Sequence, residues 1–229
     1  MKLSAGYYKH RNSQLNANDL KVSRNYYAGR EVTTFSNLYK LSFANVFDFD
    51  NSNILDLGAG DRFIEGRLTE LGANYTPLDI DQVDFNYQRL PILDESQDLV
   101  IALAVIEHIS ELDHFFSEIK RVLKPGGVVY ITTPNFKYCY SNFYDDPTHK
   151  KPFTEVSLKQ CMEIYSFIYV SIYPGLRCKP AWMYTRRRAF KRAASILFRE
   201  KPFKSCPEWL YGRATSVIGI GKKSLDMDN

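Results

Sequence analysis

A strand-like segment that ends in a glycine turn carries the strongest chemical signal in the sequence. Residues 54–62 read ILDLGAGDR, an apolar run that leads into Asp56-x-Gly58-x-Gly60. Glycines at these positions let the backbone turn tightly and approach a ligand closely. Asp79 follows Gly60 by 19 residues and ends a second apolar segment, where a carboxylate can accept hydrogen bonds from both hydroxyls of a ribose. The combination predicts a site for a ligand that contains a nucleoside.

A dinucleotide is the first alternative for this ligand. NAD-binding proteins share the glycine turn and the acidic residue, but their G-x-G-x-x-G pattern needs a third glycine so that the next helix can pack closely. Counting from Gly58, the third position is Phe63. The sequence therefore argues against NAD.

Four motifs in order resemble the class I S-adenosylmethionine-dependent methyltransferases. They read LDLGAGD, PLDID at 77–81, LPILDESQDLVIALAVIEHI at 90–109 and RVLKPGGVVYITTPN at 121–135. The resemblance covers about residues 54–135 and implies S-adenosylmethionine as the cofactor. One departure is Arg62, which stands where the family has the third glycine of its G-x-G-x-G pattern.

The resemblance also implies a set of cofactor contacts. The methionine part of the cofactor would be bound by Asp56, Gly58, Ala59 and Gly60, and its ribose by Asp79. The adenine would be flanked by Ile80, Asn86 and Tyr87, and Ala104 would face the sulfonium. A shorter segment, RNYYAGREVTTF at 24–35, is similar to the segment that precedes the core in methyltransferases of surface-polysaccharide and related glycan pathways. In that segment, Arg30 would pair with the carboxylate of the cofactor.

Two histidines are candidates for the base that a hydroxyl acceptor needs. Methyl transfer is an in-line displacement at a sulfonium, so the protein must align the acceptor and remove its proton, a task suited to imidazole. His149 lies in DDPTHKKPFT at 145–154, which resembles a loop of glycan-pathway methyltransferases, and His108 follows the apolar run 99–104. We expect His149 to act as the base, with Asp145 or Asp146 orienting it or binding an acceptor hydroxyl. The alternatives are a base at His108 and a His149 that only supports the next helix.

No metal is predicted at this site. Family members that use magnesium do so with clustered carboxylates on this edge of the sheet, whereas here Asp145 and Asp146 stand beside a histidine that can serve alone. The four cysteines contain no C-x-x-C pair, which argues against a zinc site and a disulfide scaffold. We therefore expect activity to survive a chelator.

The alternation of apolar and helical segments predicts an α/β fold. We expect a Rossmann-like, seven-stranded, mostly parallel sheet with helices on both faces and one antiparallel strand near the C-terminus. The predicted strands are 53–57, 75–78, 99–104, 128–132, 167–173 and 216–220, and the main predicted helices are 31–47, one capped by Ser110 and one that begins at Thr154. Residues 1–50 would form an N-terminal helical cover and 51–229 the methyltransferase domain, with a basic helical insertion at 174–212 before the last strand.

Positive charge is concentrated in residues 186–204. They carry eight Lys and Arg residues against Glu200 alone, while the net charge of the whole chain is +4. Such a segment suits peripheral contact with an anionic membrane or an acidic carrier, and equally a solvated helix face. Nucleic acid is not indicated, because no recognition motif accompanies the charge. The chain shows neither a bilayer-spanning apolar stretch nor a signal peptide, so we expect a cytoplasmic protein, with membrane-peripheral binding as the alternative.

The predicted activity is S-adenosylmethionine-dependent O-methylation of a sugar, a glycan or a lipid-linked intermediate. Two alternatives stay open. One is a small-metabolite or natural-product hydroxyl or amine as the acceptor. The other is a cofactor-binding protein without catalysis, which Arg62 makes conceivable.

Overall fold

A computed structural model describes residues 17–175 and 216–225, with side chains described from residue 27 onward. The strands are β1 (Asn53–Leu57), β2 (Asn74–Leu78), β3 (Gln97–Leu103), β4 (Leu123–Pro134), β5 (Phe167–Pro174) and β6 (Ser216–Lys223). The helices are α1 (Ala17–Phe43), α2 (Glu65–Glu70), α3 (Leu112–Val122), α4 (Phe136–Cys139) and α5 (Glu155–Ile164), and single 3-10 turns occur at Ile106–His108 and Phe143–Asp145.

The strands form one mixed sheet in the order β2-β1-β3-β4-β6-β5. Strands β1 to β4 pair in parallel, and β6 pairs antiparallel with both β4 and β5. Five strands therefore point in one direction and β6 in the other. The carboxyl ends of β1, β2, β3 and β4 meet at one edge, which is where ligands bind in open α/β sheets.

Both faces of the sheet are covered by helices, as predicted. Side chains alternate along each strand, so Leu55 and Val100 face one layer while Ile54 and Leu99 face the other. The first layer contains α3 and α5 through Phe115, Phe116, Ile119, Leu158 and Met162. The second contains α1 and α2 through Ala28, Val32, Phe35, Tyr39 and Leu68. Helix α1 is thus the predicted N-terminal cover, although it begins at residue 17 rather than 31 and ends at 43 rather than 47.

The described part of the chain contains six strands, one fewer than the seven predicted. Between β2 and β3 the backbone forms turns, because short polar side chains there take up its hydrogen bonds. Asp84 Oδ1 accepts hydrogen bonds from the backbone N–H and the side-chain amide of Asn86 at 3.1 and 3.0 Å, and Gln88 Oε1 accepts one from the Asp84 N–H at 2.7 Å. The predicted basic insertion lies outside the described residues, except for its first two positions.

The two predicted helix starts have different outcomes. The helix predicted to begin at Thr154 is α5, and Thr154 is its N-cap: its Oγ1 accepts the N–H of Ser157 at 3.2 Å, and Ser157 Oγ accepts the N–H of Thr154 at 2.8 Å. The prediction for Ser110 was wrong, because α3 has Glu111 at its N-cap and Asn86 Oδ1 accepts the N–H groups of Ser110 and Glu111 at 2.8 and 3.3 Å. No helix in the described ranges is long and apolar enough to span a bilayer.

Candidate active site

The turn that follows β1 has the backbone conformation that its glycines predict. Gly58 and Gly60 have φ angles of 72° and 52°, and the N–H groups of Gly58 and Ala59 both donate to the Leu78 carbonyl at the end of β2. A Cβ on Gly58 would lie 2.4 Å from Val105 Cγ2. Gly58 therefore serves two needs, a left-handed backbone and close packing against the segment that follows β3.

Gly58→Ala should destabilise the protein by about 2–5 kcal/mol, the sum of the left-handed backbone cost and overpacking against Val105. Gly60→Ala is the matched control, because the nearest atom to its Cβ would be 4.0 Å away, and it should cost only about 1–2 kcal/mol. Denaturant unfolding measures both. Adding Val105→Ala should recover part of the Gly58→Ala loss, and equal losses in the two single variants would contradict the packing argument.

Arg62, the departure from the family pattern, keeps the conformation that a glycine would favour. Its φ angle is 55°, and its N–H donates to the Ala59 carbonyl at 2.8 Å, which closes the turn. A left-handed non-glycine residue is uncommon and costs some stability, so its presence here indicates that the shape of the turn is maintained. The residue type has changed at this position while the loop geometry is kept.

Asp79 connects the ends of β1 and β2 through its carboxylate. Oδ2 accepts the N–H of Gly60 at 2.9 Å, and Oδ1 accepts the N–H of Ile80 at 2.6 Å. Its own N–H donates to Gln82 Oε1 at 2.9 Å. Each carboxylate oxygen has a further lone pair, so a carboxylate oriented in this way can still accept hydrogen bonds from ligand hydroxyls.

Asp56 lies within the sheet, on the face that α1 and α2 cover. It is 2% exposed, and the Tyr75 hydroxyl donates to its Oδ2 at 2.6 Å. Burial raises its pKa to about 7; the Tyr75 hydrogen bond opposes this shift and the charge of Asp79 adds to it. The protonated form of this carboxyl group therefore persists to a higher pH than in an exposed aspartate.

Replacing Asp56 with asparagine should remove a pH dependence of stability. The folded-state pKa of about 7 lies above that of an unfolded aspartate, so the folded state retains a proton that the unfolded state releases. Stability from this group is full at low pH and is lost as pH rises to 7. Between pH 5 and 7 the wild type should lose about 1 kcal/mol per pH unit relative to Asp56→Asn. Denaturant unfolding across this range measures it, and parallel curves for the two proteins would show that the pKa is not raised.

The other predicted cofactor contacts have different surroundings. Ala104 directly follows β3, has a φ of 57° and donates its N–H to the Thr132 carbonyl at 2.8 Å. Ile80 is partly exposed and Tyr87 is 70% exposed, whereas Asn86 is buried with its side chain holding the start of α3. Arg30 lies on α1, its guanidinium 5.4 Å from the ring centroid of Tyr27. The roles given to these residues stay predictions.

The two candidate histidines lie side by side. His108 belongs to the 3-10 turn after β3, and the loop with His149 is attached to that turn by the N–H groups of Lys150 and Lys151, which donate to the Glu107 carbonyl at 2.7 and 3.0 Å. The two ring centroids are 4.8 Å apart. The sequence predicted both residues at this edge but not that they would share one site.

Hydrogen bonds fix both imidazole rings. His108 Nδ1 lies 3.1 Å from the Thr148 carbonyl, and His149 Nδ1 bonds to the Phe143 carbonyl. Burial, with a further contribution from His149, lowers the pKa of His108, which favours its neutral form.

Of the two predicted acidic partners, Asp146 is the one beside the histidines. Its Oδ2 lies 3.9 Å from His149 Nε2, and its Oδ1 accepts the Thr148 N–H at 2.9 Å, while Asp145 is exposed. Burial would raise the pKa of Asp146, but the hydrogen bonds from Thr148 and the nearby histidines lower it below its usual range. Asp146 therefore stays ionised and can orient His149 or accept a hydrogen bond.

Sequence reasoning missed Glu107. It is 1% exposed, and Thr133 Oγ1 at the end of β4 donates to its Oε2 at 2.9 Å. One feature of the sequence could have indicated it: Glu107 is a carboxylate next to a candidate histidine, within the otherwise apolar segment AVIEHI. The site therefore combines a buried carboxylate, two oriented imidazoles and Asp146.

Residues 55–131 match the family model described as a methyltransferase domain. This segment, about a third of the chain, is similar to methyltransferase domains. It runs from β1 into β4 and contains the glycine turn, Asp79, Ala104, Glu107 and His108. The loop with His149 and the antiparallel strand β6 lie outside it.

Curated relatives match less than half of this chain. A probable S-adenosylmethionine-dependent methyltransferase of Mycolicibacterium smegmatis is 34% identical over 106 residues, covering 45% of this chain and 40% of the relative. A ubiquinone biosynthesis O-methyltransferase of a Chelativorans species is 26% identical over 106 residues, covering 38% of this chain and 42% of the relative. The chain spans about two fifths of the length of these curated relatives.

The fold is shared more widely. The crystal structure of a SAM-dependent methyltransferase from Archaeoglobus fulgidus superposes with a TM-score of 0.58 at 20% identity, covering 83% of this chain and 94% of that one. At this identity the likeness shows the fold.

Proposed function

We propose that the protein is an S-adenosylmethionine-dependent methyltransferase. The observation that carries this is the carboxylate of Asp79 bonded to the N–H of Gly60, inside a segment that matches a methyltransferase domain. That contact holds the carboxylate beside a glycine turn at the carboxyl edge of the sheet, which supports Asp79 as the proposed ribose acceptor. The names of the matched relatives support S-adenosylmethionine as the cofactor.

The proposed cofactor lies across the ends of β1, β2 and β3. Its methionine part would contact the backbone from Gly58 to Gly60, its ribose Asp79, and its sulfonium the region of Ala104. The cofactor supplies a methyl group on a positively charged sulfur, which leaves as a neutral thioether. The protein's share of the work is to align the acceptor oxygen with the methyl group and to exclude water.

The proposed acceptor is a hydroxyl of a sugar, a glycan or a lipid-linked intermediate. Support comes from the polar groups gathered around His149, since Asp146 and Thr148 offer hydrogen bonds of the kind that hydroxyl-rich ligands use. His149, oriented through Phe143 and beside Asp146, would take the proton. A second candidate is a hydroxyl of a small aromatic metabolite, favoured by the matched relatives named for ubiquinone biosynthesis O-methylation.

Calorimetry with S-adenosylmethionine, S-adenosylhomocysteine and NAD tests the cofactor. The first two should bind and NAD should not. Incubation with methyl-labelled cofactor and panels of nucleotide sugars, lipid-linked sugars and phenols then tests the acceptor. Binding of NAD alone would overturn the proposal, and cofactor binding without transfer to any panel would favour the non-catalytic alternative.

A further inference from the structure

Glu107, His108 and His149 form a group that can hold a metal ion. Each offers one ligand atom, and the three atoms lie within 4.8 Å of one another. Two imidazoles and one carboxylate are a common donor set of catalytic first-row metal sites that keep positions open for a substrate. We propose that this cluster binds a divalent transition-metal ion such as Mn²⁺, Co²⁺ or Zn²⁺ next to the methyl acceptor.

The hydrogen bonds of the two rings are those that metal-binding histidines have. Histidine ligands typically donate one ring N–H to a carbonyl or carboxylate, which fixes the tautomer and leaves the lone pair on the other nitrogen. Here His108 Nδ1 bonds to the Thr148 carbonyl at 3.1 Å and His149 Nδ1 to the Phe143 carbonyl. In this tautomer Nε2 of both rings carries the lone pair that a metal needs.

Glu107 is also held as a ligand would be. Its side chain is buried, and Thr133 Oγ1 donates to its Oε2 at 2.9 Å, which orients the carboxylate. Its backbone carbonyl accepts the N–H groups of Lys150 and Lys151, so the loop that supplies His149 is fixed to the residue that supplies the carboxylate. Buried charges in proteins are paired or coordinate metals.

The neighbouring thiol is not a competing ligand. Burial and the charge of Glu107 raise the pKa of Cys139 to about 11, and its Sγ–H donates to the Asn135 carbonyl at 3.1 Å. A protonated thiol does not bind metal strongly. With metal–nitrogen distances of about 2.1 Å, ligand atoms sit about 3–4 Å apart, so small side-chain rotations would close the cluster.

The position of the cluster suits activation of an acceptor oxygen. Val105, which packs on Gly58 of the cofactor turn, is two residues before Glu107. A hydroxyl bound to the metal has a lowered pKa and releases its proton to solvent. Its oxygen then forms the new C–O bond as the C–S bond breaks, and the sulfur keeps the electron pair. This inference rests on the proposed function. In it His149 holds the metal instead of taking the proton, and it replaces the sequence expectation of metal-independent activity.

Titration of chelator-treated, dialysed protein with Co²⁺, followed by visible absorption and calorimetry, tests the site without cofactor or acceptor. Wild type should bind one equivalent. Glu107→Gln and His149→Asn should each weaken binding by at least about 100-fold, and Thr133→Val by about 10–100-fold. His114→Gln on α3 is the matched control and should bind as wild type does. Mg²⁺, which prefers oxygen ligands, should compete poorly.

S-adenosylhomocysteine binding to the same variants reports whether they fold. Unchanged Co²⁺ affinity in Glu107→Gln and His149→Asn, or no saturable binding to wild type, would overturn the metal site. A different result would contradict the proposed function, namely that the wild type neither binds the cofactor nor transfers a methyl group. Thr133→Val retains all three ligands, so it separates a tuned metal site from adventitious binding to exposed histidines.

Discussion

Replacing His149 with alanine should lower kcat by about 10²–10⁴-fold while leaving the affinity for S-adenosylhomocysteine nearly unchanged. The ring centroid of His149 lies 4.8 Å from that of His108, and its Nε2 lies 3.9 Å from Asp146 Oδ2; neither contact involves the turn proposed to hold the cofactor. The loss is expected whether the ring takes the proton itself or holds a cation that lowers the pKa of the hydroxyl. Single-turnover kinetics with labelled cofactor measure it.

His149→Asn separates chemistry from support of the loop. An asparagine amide can still donate to the Phe143 carbonyl, as His149 Nδ1 does, but it lacks the second ring nitrogen. It should therefore fold like wild type and lose nearly as much activity as the alanine variant. Normal turnover in His149→Asn would assign the residue a structural role only. A loss in His108→Ala as large as that in His149→Ala would favour the shared metal site over a single base.

Asp79→Ala should weaken binding of S-adenosylmethionine by about 5–150-fold, which corresponds to about 1–3 kcal/mol. The substitution removes the proposed acceptor of the ribose hydroxyls. It also leaves the N–H groups of Gly60 and Ile80 without the carboxylate that they donate to, so the turn itself should loosen. Calorimetry at constant pH and salt gives the two affinities.

Asp81→Ala is the control for this experiment. Asp81 is exposed and two residues further along the same loop, so its removal subtracts the same charge without touching the turn. Its effect on affinity should be small. If Asp79→Ala and Asp81→Ala bound the cofactor equally well, the assignment of Asp79 to the ribose would be wrong.

Local patterns predicted the elements on which the cofactor turn depends. Strand β1 has the predicted bounds, Asn53–Leu57, because a short apolar run between turn residues has few other structures available. The start of α5 was predicted within one residue, at Thr154, which is its N-cap. Helix α1 was predicted to begin 14 residues too late because its first turns, reading ANDLKVSRN, lack an apolar period. It ends at Phe43, since Ala44 turns left-handed with a φ of 52°.

The parts that could not be predicted depend on contacts between distant residues. Ser110 was wrongly predicted to cap α3. The residue that accepts hydrogen bonds from the start of this helix is Asn86, which is 24 residues away in the sequence. Glu107 and His108 meet Thr148 and His149 only because the loop after β4 folds back over the end of β3, and about 40 residues separate the two segments. The spacing along the chain does not indicate this contact. Each histidine could therefore be predicted as a candidate base, but their common site could not.

The location of β6 shapes how this protein must be made. Of the described strands, β6 is the latest in the sequence, and it occupies an interior place in the sheet, hydrogen-bonded to β4 on one side and to β5 on the other. Until residue 223 has left the ribosome, both neighbours present open strand edges, and such edges pair readily with other chains. The nascent protein therefore passes through an aggregation-prone stage before β6 inserts. A premature stop before residue 216 would remove an interior strand of the sheet and not an edge strand. We therefore expect truncated products to accumulate as insoluble material or bound to chaperones.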